Sequence, residues 1–180
     1  MFARPFTAAL LLAAFLPAGA ALAQPTAAAT FQTNDGSAAG TATLSEGPTG
    51  VLLRIEVEGL DAGWHGVHFH AVGECSDAKF MSSGGHINHA QEADKAPHGL
   101  RNPEGPDFGD LPNLYVAEDG TGKAEMFSGL VSFDGQGERA ALFDADGSAI
   151  VIHEGADDHA SQPIGGAGAR TACAVLERAE

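Results

Sequence analysis

The chain has 180 residues and a formal charge of −15, with 9 Lys and Arg against 24 Asp and Glu. Without its first 23 residues, eight bases face 24 acids over 157 residues, which is room for one domain with an ordinary core and a net charge of −16. Such a chain is repelled by phosphate backbones and anionic lipid, which argues against nucleic acid and membrane surfaces as partners.

The first 24 residues read MFARPFTAALLLAAFLPAGAALAQ: Arg4 gives a short positive region, residues 6–16 are apolar, and Ala21-Leu22-Ala23 is a small-residue cleavage site. This pattern predicts a signal peptide over residues 1–23, cleaved before Gln24, and a mature domain over residues 24–180. Pro17 and Gly19 break the apolar run short of a bilayer span, and no later stretch is apolar enough to form one. Cys75 and Cys173 are the only cysteines. In an exported chain an even count favours one disulfide over two free thiols.

After an Ala/Pro/Thr-rich stretch at 24–30, expected to be a frayed lead, turn signals recur at Asn34-Asp35-Gly36, Gly47-Pro48, Asp119-Gly120, Asp134-Gly135 and Asp146-Gly147. Short alternating runs lie between them, as in Leu53, Ile55 and Val57 against Arg54, Glu56 and Glu58, and no helical period is sustained. Asp119-Gly120 and Asp146-Gly147 both read as hairpin turns. Residues 74–113 and 154–169 break the rhythm, being rich in Gly, Pro and Asp. Long loops in a compact domain are commonly functional. The expected fold is therefore all-β, an antiparallel sandwich or flattened barrel carrying two long loops.

The segment GWHGVHFHAVGEC at 63–75 holds three histidines. Alternate strand residues share a face about 6.5–7 Å apart, so His68 and His70 can converge on one ion while His65 points the other way, into a packed, hydrogen-bonded role. His86 and His89 in SGGHINHA, His98 in PHG and His153 in IVIHEGADDH are further candidates, and His153 continues a predicted strand. Ligation rich in imidazole suits copper or zinc rather than calcium or magnesium. Asp107 and Asp110 lie nine and twelve residues after His98 and can supply carboxylates.

HGVHFH, GEC, SGGH, PHG…GDLPN, VIHEGADD and GGAGARTAC, in that order, make the chain resemble the exported bacterial copper/zinc superoxide dismutases over nearly the whole mature sequence. The resemblance implies a Greek-key, Ig-like sandwich. It also implies that superoxide is the substrate, disproportionated to dioxygen and hydrogen peroxide at a copper centre beside a zinc site, protecting the cell envelope from the periplasm. Copper would be held by His68, His70, His86 and His153. Zinc would be held by His86 as the bridging ring, His98 and Asp110, with Asp157 linking the rings of His68 and His98. Arg170 matches the guanidinium beside the copper, His86 would supply a proton, and Cys75–Cys173 matches the family disulfide. A monomer or homodimer is implied.

One position departs from the family: the middle zinc ligand, normally histidine, is Asp107. Three readings stand: Asp107 binds zinc directly, the site is weak or hydrated, or His89 or another group substitutes. The charge of −16 looks unsuited to an anionic substrate, so Lys79, Lys95 or Arg101 of the first long loop is expected to steer it, the second loop having no Lys or Arg. His159 is expected at the loop rim, exposed and without a chemical role, and Asp158 as a solvated neighbour of Asp157. Competing readings on the same scaffold are a non-enzymatic copper carrier, a copper-only dismutase and a metal-free adhesion module. Arg170 and His86 argue against the first, the zinc-side residues against the second, and the matched histidines against the third.

Overall fold

A computed structural model of the chain describes residues 26–88 and 97–179. The predicted signal peptide, His89 and Lys95 lie outside the described residues. Among the described residues there are twelve strands: β1 (Thr26–Thr33), β2 (Ala38–Gly47), β3 (Gly50–Val57), β4 (Gly63–His65), β5 (Val67–His70), β6 (Leu114–Val116), β7 (Gly122–Ser128), β8 (Val131–Ser132), β9 (Ala140–Ala141), β10 (Ala149–His153), β11 (Arg170–Val175) and β12 (Glu177–Arg178). One 3-10 turn, Met81–Ser83, stands among them.

Nine strands pair in the order β4-β6-β7-β3-β2-β1-β11-β10-β5, with β12 on β1. β4 and β5 sit at opposite ends of that order, yet only Gly66 separates them in the chain. The sheet must therefore curl until its ends meet, giving a nearly closed antiparallel barrel whose connections skip neighbours as Greek keys do. Burial follows the alternation: Ala42 and Leu44 of β2 and Leu53 and Ile55 of β3 are buried, and the intervening Arg54 and Glu56 are exposed. Residues filling this interior exclude water at roughly 25 cal/mol per Å² of apolar surface.

Two expectations fail. Residues 26–30 are not frayed; Ala27, Ala29 and Phe31 point inward from β1, which pairs with β2, β11 and β12. Alanine is a weak strand signal, and here neighbouring strands override it. Asp146-Gly147 does not close a hairpin, because β10 already has β5 and β11 on its two edges and β9 pairs in parallel with β8. Asp119-Gly120 does close one, between β6 and β7.

Candidate metal centre

β5 carries the first two histidines. Val67 and Phe69 point into the core and are fully buried, so alternation sends His68 and His70 to the opposite face. The free edge of β5 is covered by the first long loop. Phe69 N donates to Gly109 O at 2.9 Å, Ile87 N to Phe69 O at 2.9 Å, and Ala71 N to Gly85 O at 2.9 Å. These bonds set His86 opposite His70 and Asp110 opposite His68. Gly109 has to be glycine, since a Cβ there would lie 2.3 Å from Phe69 O. From the other edge, β10 brings His153 to the same place. Its pairing with β11 shifts between Ile152 and His153, which puts Arg170 directly across from His153.

The donor atoms of His68, His70, His86 and His153 lie within 4.8 Å of one another and could hold a metal ion. His68 Nδ1 and the Nε2 atoms of His70, His86 and His153 are buried without a hydrogen-bond partner. On all four rings the other nitrogen is tied: His68 Nε2 to Asp157 Oδ2 at 2.8 Å, His70 Nδ1 to Gly84 O at 3.0 Å, His153 Nδ1 to Gly168 O at 3.0 Å and His86 Nδ1 to Asp107 Oδ2 at 3.1 Å. A buried polar atom left bare costs about 1–3 kcal/mol, so four aimed at one point call for a ligand.

A second group of donors within 4.8 Å comprises His68, His86, His98 and Asp110. His68 has no nitrogen to spare for it, because one faces the first group and the other holds Asp157. Asp107 supplies an alternative atom: its Oδ2 is 3.1 Å from His86 Nδ1 and 3.9 Å from His98 Nδ1. Asp110 Oδ1 stands 2.6 Å from His98 Nδ1 and 3.8 Å from His86 Nδ1. These separations straddle the edge of about 3.3 Å that follows from metal–ligand bonds of about 2.0 Å in a tetrahedron. Backbone donors pin both carboxylates, Gly109 N on Asp107 Oδ1 and the N–H groups of Gly99 and Asp107 on Asp110 Oδ2. One oxygen of each is thereby left facing the rings.

Asp157 joins the two groups, accepting from His68 Nε2 on one oxygen and from His98 Nε2, at 3.1 Å, on the other. Gly165, at φ 61°, leaves room for it; a Cβ there would fall 1.6 Å from Asp157 Oδ1. Asn113, for which the sequence offered no role, clips the Asp157 backbone by accepting from its N–H at 2.9 Å and donating to its C=O at 2.8 Å. Gln162 likewise grips the backbone of His98. Both clips close over dozens of residues, and no local pattern announces them. His65 is buried as expected, its ring nitrogens on His153 O at 2.6 Å and Asp61 O at 2.8 Å. His159 is not exposed as expected: its side chain is only 18% accessible and lies 3.5 Å from Asp157 Oδ2. Asp158 is exposed and caps the following turn. Lys79 and Arg170 share a cleft of about 620 Å³ with His70, His86 and His153. Arg101 is exposed, its backbone N–H on His159 O.

Burial pushes His68 and His70 well below the ordinary imidazole range and takes His153 down to about 4. Burial opposes charge on His98 as well, but the carboxylates of Asp107, Asp110 and Asp157 outweigh it and raise His98 to about 11. The Asp107 and Asp157 carboxyls, which burial alone would raise, are held well below their usual range by hydrogen bonds from the histidine rings. In the metal-free protein, acidification from pH 6.5 to about 4 protonates His153 in the unfolded chain and not in the folded one. The unfolded state then binds more protons and stability falls, by about 3 kcal/mol for His153 alone, with His68 and His70 adding to the loss. His98 stays protonated in the folded state throughout that window while its unfolded form completes its protonation near pH 6.5, so it offsets the loss by only about 0.4 kcal/mol. The thermal midpoint of the metal-free protein should drop steadily over this range; a flat or rising midpoint contradicts the assignment of these rings as buried and neutral.

Residues 38–176 match the family of copper/zinc superoxide dismutases. The chain belongs to that family. It is 52% identical over 151 residues to a Cu-Zn superoxide dismutase of Caulobacter vibrioides, covering 84% of this chain and 85% of the relative. A Cu-Zn superoxide dismutase of Deinococcus radiodurans is 38% identical over 177 residues, covering 93% of each chain. Among solved structures, a SOD-like protein from Bacillus subtilis superposes with a TM-score of 0.75 at 32% identity, covering 83% of this chain and 97% of that one. The Cu/Zn superoxide dismutase of Brucella abortus gives 0.65 at 28% identity, covering 84% and 99%. As a copper/zinc superoxide dismutase, the protein has copper and zinc as cofactors, superoxide as substrate and dismutation as its reaction. Its cysteines form the disulfide Cys75–Cys173.

Proposed function

We propose that His68 Nδ1 and the Nε2 atoms of His70, His86 and His153 hold the copper. His86 Nδ1, His98 Nδ1, Asp107 Oδ2 and Asp110 Oδ1 hold the zinc, so that His86 serves both. The observation that carries this reading is the set of four buried ring nitrogens with no hydrogen-bond partner. Copper, when bound, supplies one-electron exchange, and an imidazole-rich cage suits it. The chain supplies the rest. Arg170, beside His153 and open to the cleft, presents a permanent cation to the superoxide anion. His86 Nε2 would hold a proton for the reduced oxygen species only while it is not bound to copper, and Asp107 and Asp110 keep the Nδ1 side of the ring in register. Asp157 fixes the ring angles of His68 and His98.

Metal quantification beside a superoxide decay assay tests this. The wild type should carry both metals and consume superoxide, and His153→Ala should lose copper affinity by about 10-fold or more together with the activity. Copper bound in the wild type without superoxide consumption would favour the carrier reading.

Asp107 as a zinc ligand adds a negative charge beside Asp110 and the bridging ring, and its side chain is shorter than histidine's. Zinc should therefore leave the wild type under mild chelation, and Asp107→His should hold it about 10-fold longer. Full zinc retention by the wild type would refute this weakening. We further assign residues 1–23 to an export signal and residues 24–180 to an enzyme that protects the cell envelope. Arg4 with its apolar run supports the export signal, as does a disulfide suited to an oxidising compartment. A periplasmic protein whose first residue is Gln24 is the expected product, read by mass spectrometry.

A further inference from the structure

We infer that Ser83 is a positioning residue: its buried hydroxyl, set between Phe80 O, Arg170 and His70, decides which edge of the Arg170 guanidinium stays open to an anion. The inference rests on the placing of superoxide at Arg170 and deepens it. Ser83 is fully buried at the end of the 3-10 turn. Its single proton goes to Phe80 O, 2.8 Å away, because a carbonyl can only accept. The lone pairs of Oγ are then left for Arg170 Nη1 at 3.1 Å and His70 Nδ1 at 3.3 Å. His70 Nδ1 also faces Gly84 O, again an acceptor only, so the ring proton sits on Nδ1 and Nε2 is bare toward the copper site.

The same turn absorbs three of the five guanidinium N–H groups. Nη1 donates to Phe80 O at 2.5 Å and to Ser83 Oγ, and Nη2 donates to Gly84 O at 2.7 Å. With both Nη1 protons engaged, the donors left over are Nε–H and one N–H of Nη2, which no acceptor among the described residues takes. These two point the same way along one edge of the planar group, the arrangement that grips an anion at two points. Without the hydroxyl, Nη1 has a loose donor and the guanidinium can turn in its plane. Gly84 O and Ser83 Oγ touch both His70 and Arg170, so ligand and cation are registered to each other through one turn of chain.

Azide titration of the copper-loaded protein, followed by its charge-transfer band, provides the test. Ser83→Ala should weaken azide about three- to tenfold, the range one net hydrogen bond carries. Copper content and the thermal midpoint of the metal-free protein should stay near wild type, and Ser83→Thr should recover most of the affinity. Unchanged azide affinity overturns the inference, and so does a loss that merely tracks lost copper or a lowered metal-free midpoint. Should Ser83→Ala not fold, Ser83→Cys, similar in size and a poor acceptor, replaces it with the same outcomes. A wild type that takes no copper would sink the function proposed above, which is a separate result from a wild type that binds azide no better than the variant.

Discussion

Replacing Asp157 with alanine is expected to free the rings of His68 and His98 together and speed the loss of both metals about 10- to 100-fold. The carboxylate is buried and spends one oxygen on each ring, at 2.8 and 3.1 Å, so a single substitution removes the outer partner of a residue from each proposed metal site. Either ring could then rotate about its Cβ–Cγ bond and present the wrong nitrogen. Its surroundings show that the position is built for this. Asn113 holds the backbone, His159 N donates to Oδ1 at 2.6 Å, and Gly165 is the neighbour only because anything larger would strike the carboxylate. Asp157→Asn should fall between wild type and alanine. One amide oxygen still accepts, but the NH₂ opposes an N–H and one ring goes unheld. Release of copper and zinc to a coloured chelator reads the effect. Equal release from wild type and Asp157→Ala would mean the rings are set by packing alone.

Removing the disulfide should cost the metal-free protein about 4–5 kcal/mol of unfolding free energy. Cys75 and Cys173 are 98 residues apart, and opening so long a loop returns that much entropy to the unfolded chain. The functional consequence is more specific. The bridge forms a small buried cluster with Phe80, Ala149 and Val151, and Phe80 begins the turn whose carbonyls and hydroxyl hold Arg170. In Cys75→Ala/Cys173→Ala, the dismutation rate should therefore fall further than metal content does, because the cation loses its seat while the histidines keep theirs on β5 and β10. Urea unfolding and activity per bound copper measure the two parts. A stability change below about 1 kcal/mol, or an unaltered rate per copper, contradicts the argument.

How much of this was legible beforehand can be seen in particular residues. That His68 and His70 share a face follows from parity within β5, and His65 takes the separate hydrogen-bonded place expected of it, on His153 O and Asp61 O, although Gly66 parts β4 from β5. The Asp119-Gly120 hairpin is local and was legible, whereas the Asp146-Gly147 turn was misjudged because strand pairing across a barrel is not a local property. The Ala/Pro/Thr-rich stretch at 24–30 reads as a frayed lead, and only the neighbours of β1 overrule that for residues 26–30. His159 looked like a loop-rim residue and turns out to lie against Asp157.

By itself the sequence determined the residue types, their parity along each strand, and the presence of two cysteines able to pair, because all three depend on chain-local chemistry or counting. It also carried the family, since motifs in order survive without coordinates. Only the tertiary structure decided that Asp107 turns an oxygen toward His86 and His98, that a shift in the β10–β11 pairing sets Arg170 across from His153, and that Ser83 stands between Arg170 and His70. Those contacts join residues 9 to 87 positions apart, and such distances are fixed by how the sheet curls and where its loops fasten, which no stretch of sequence contains.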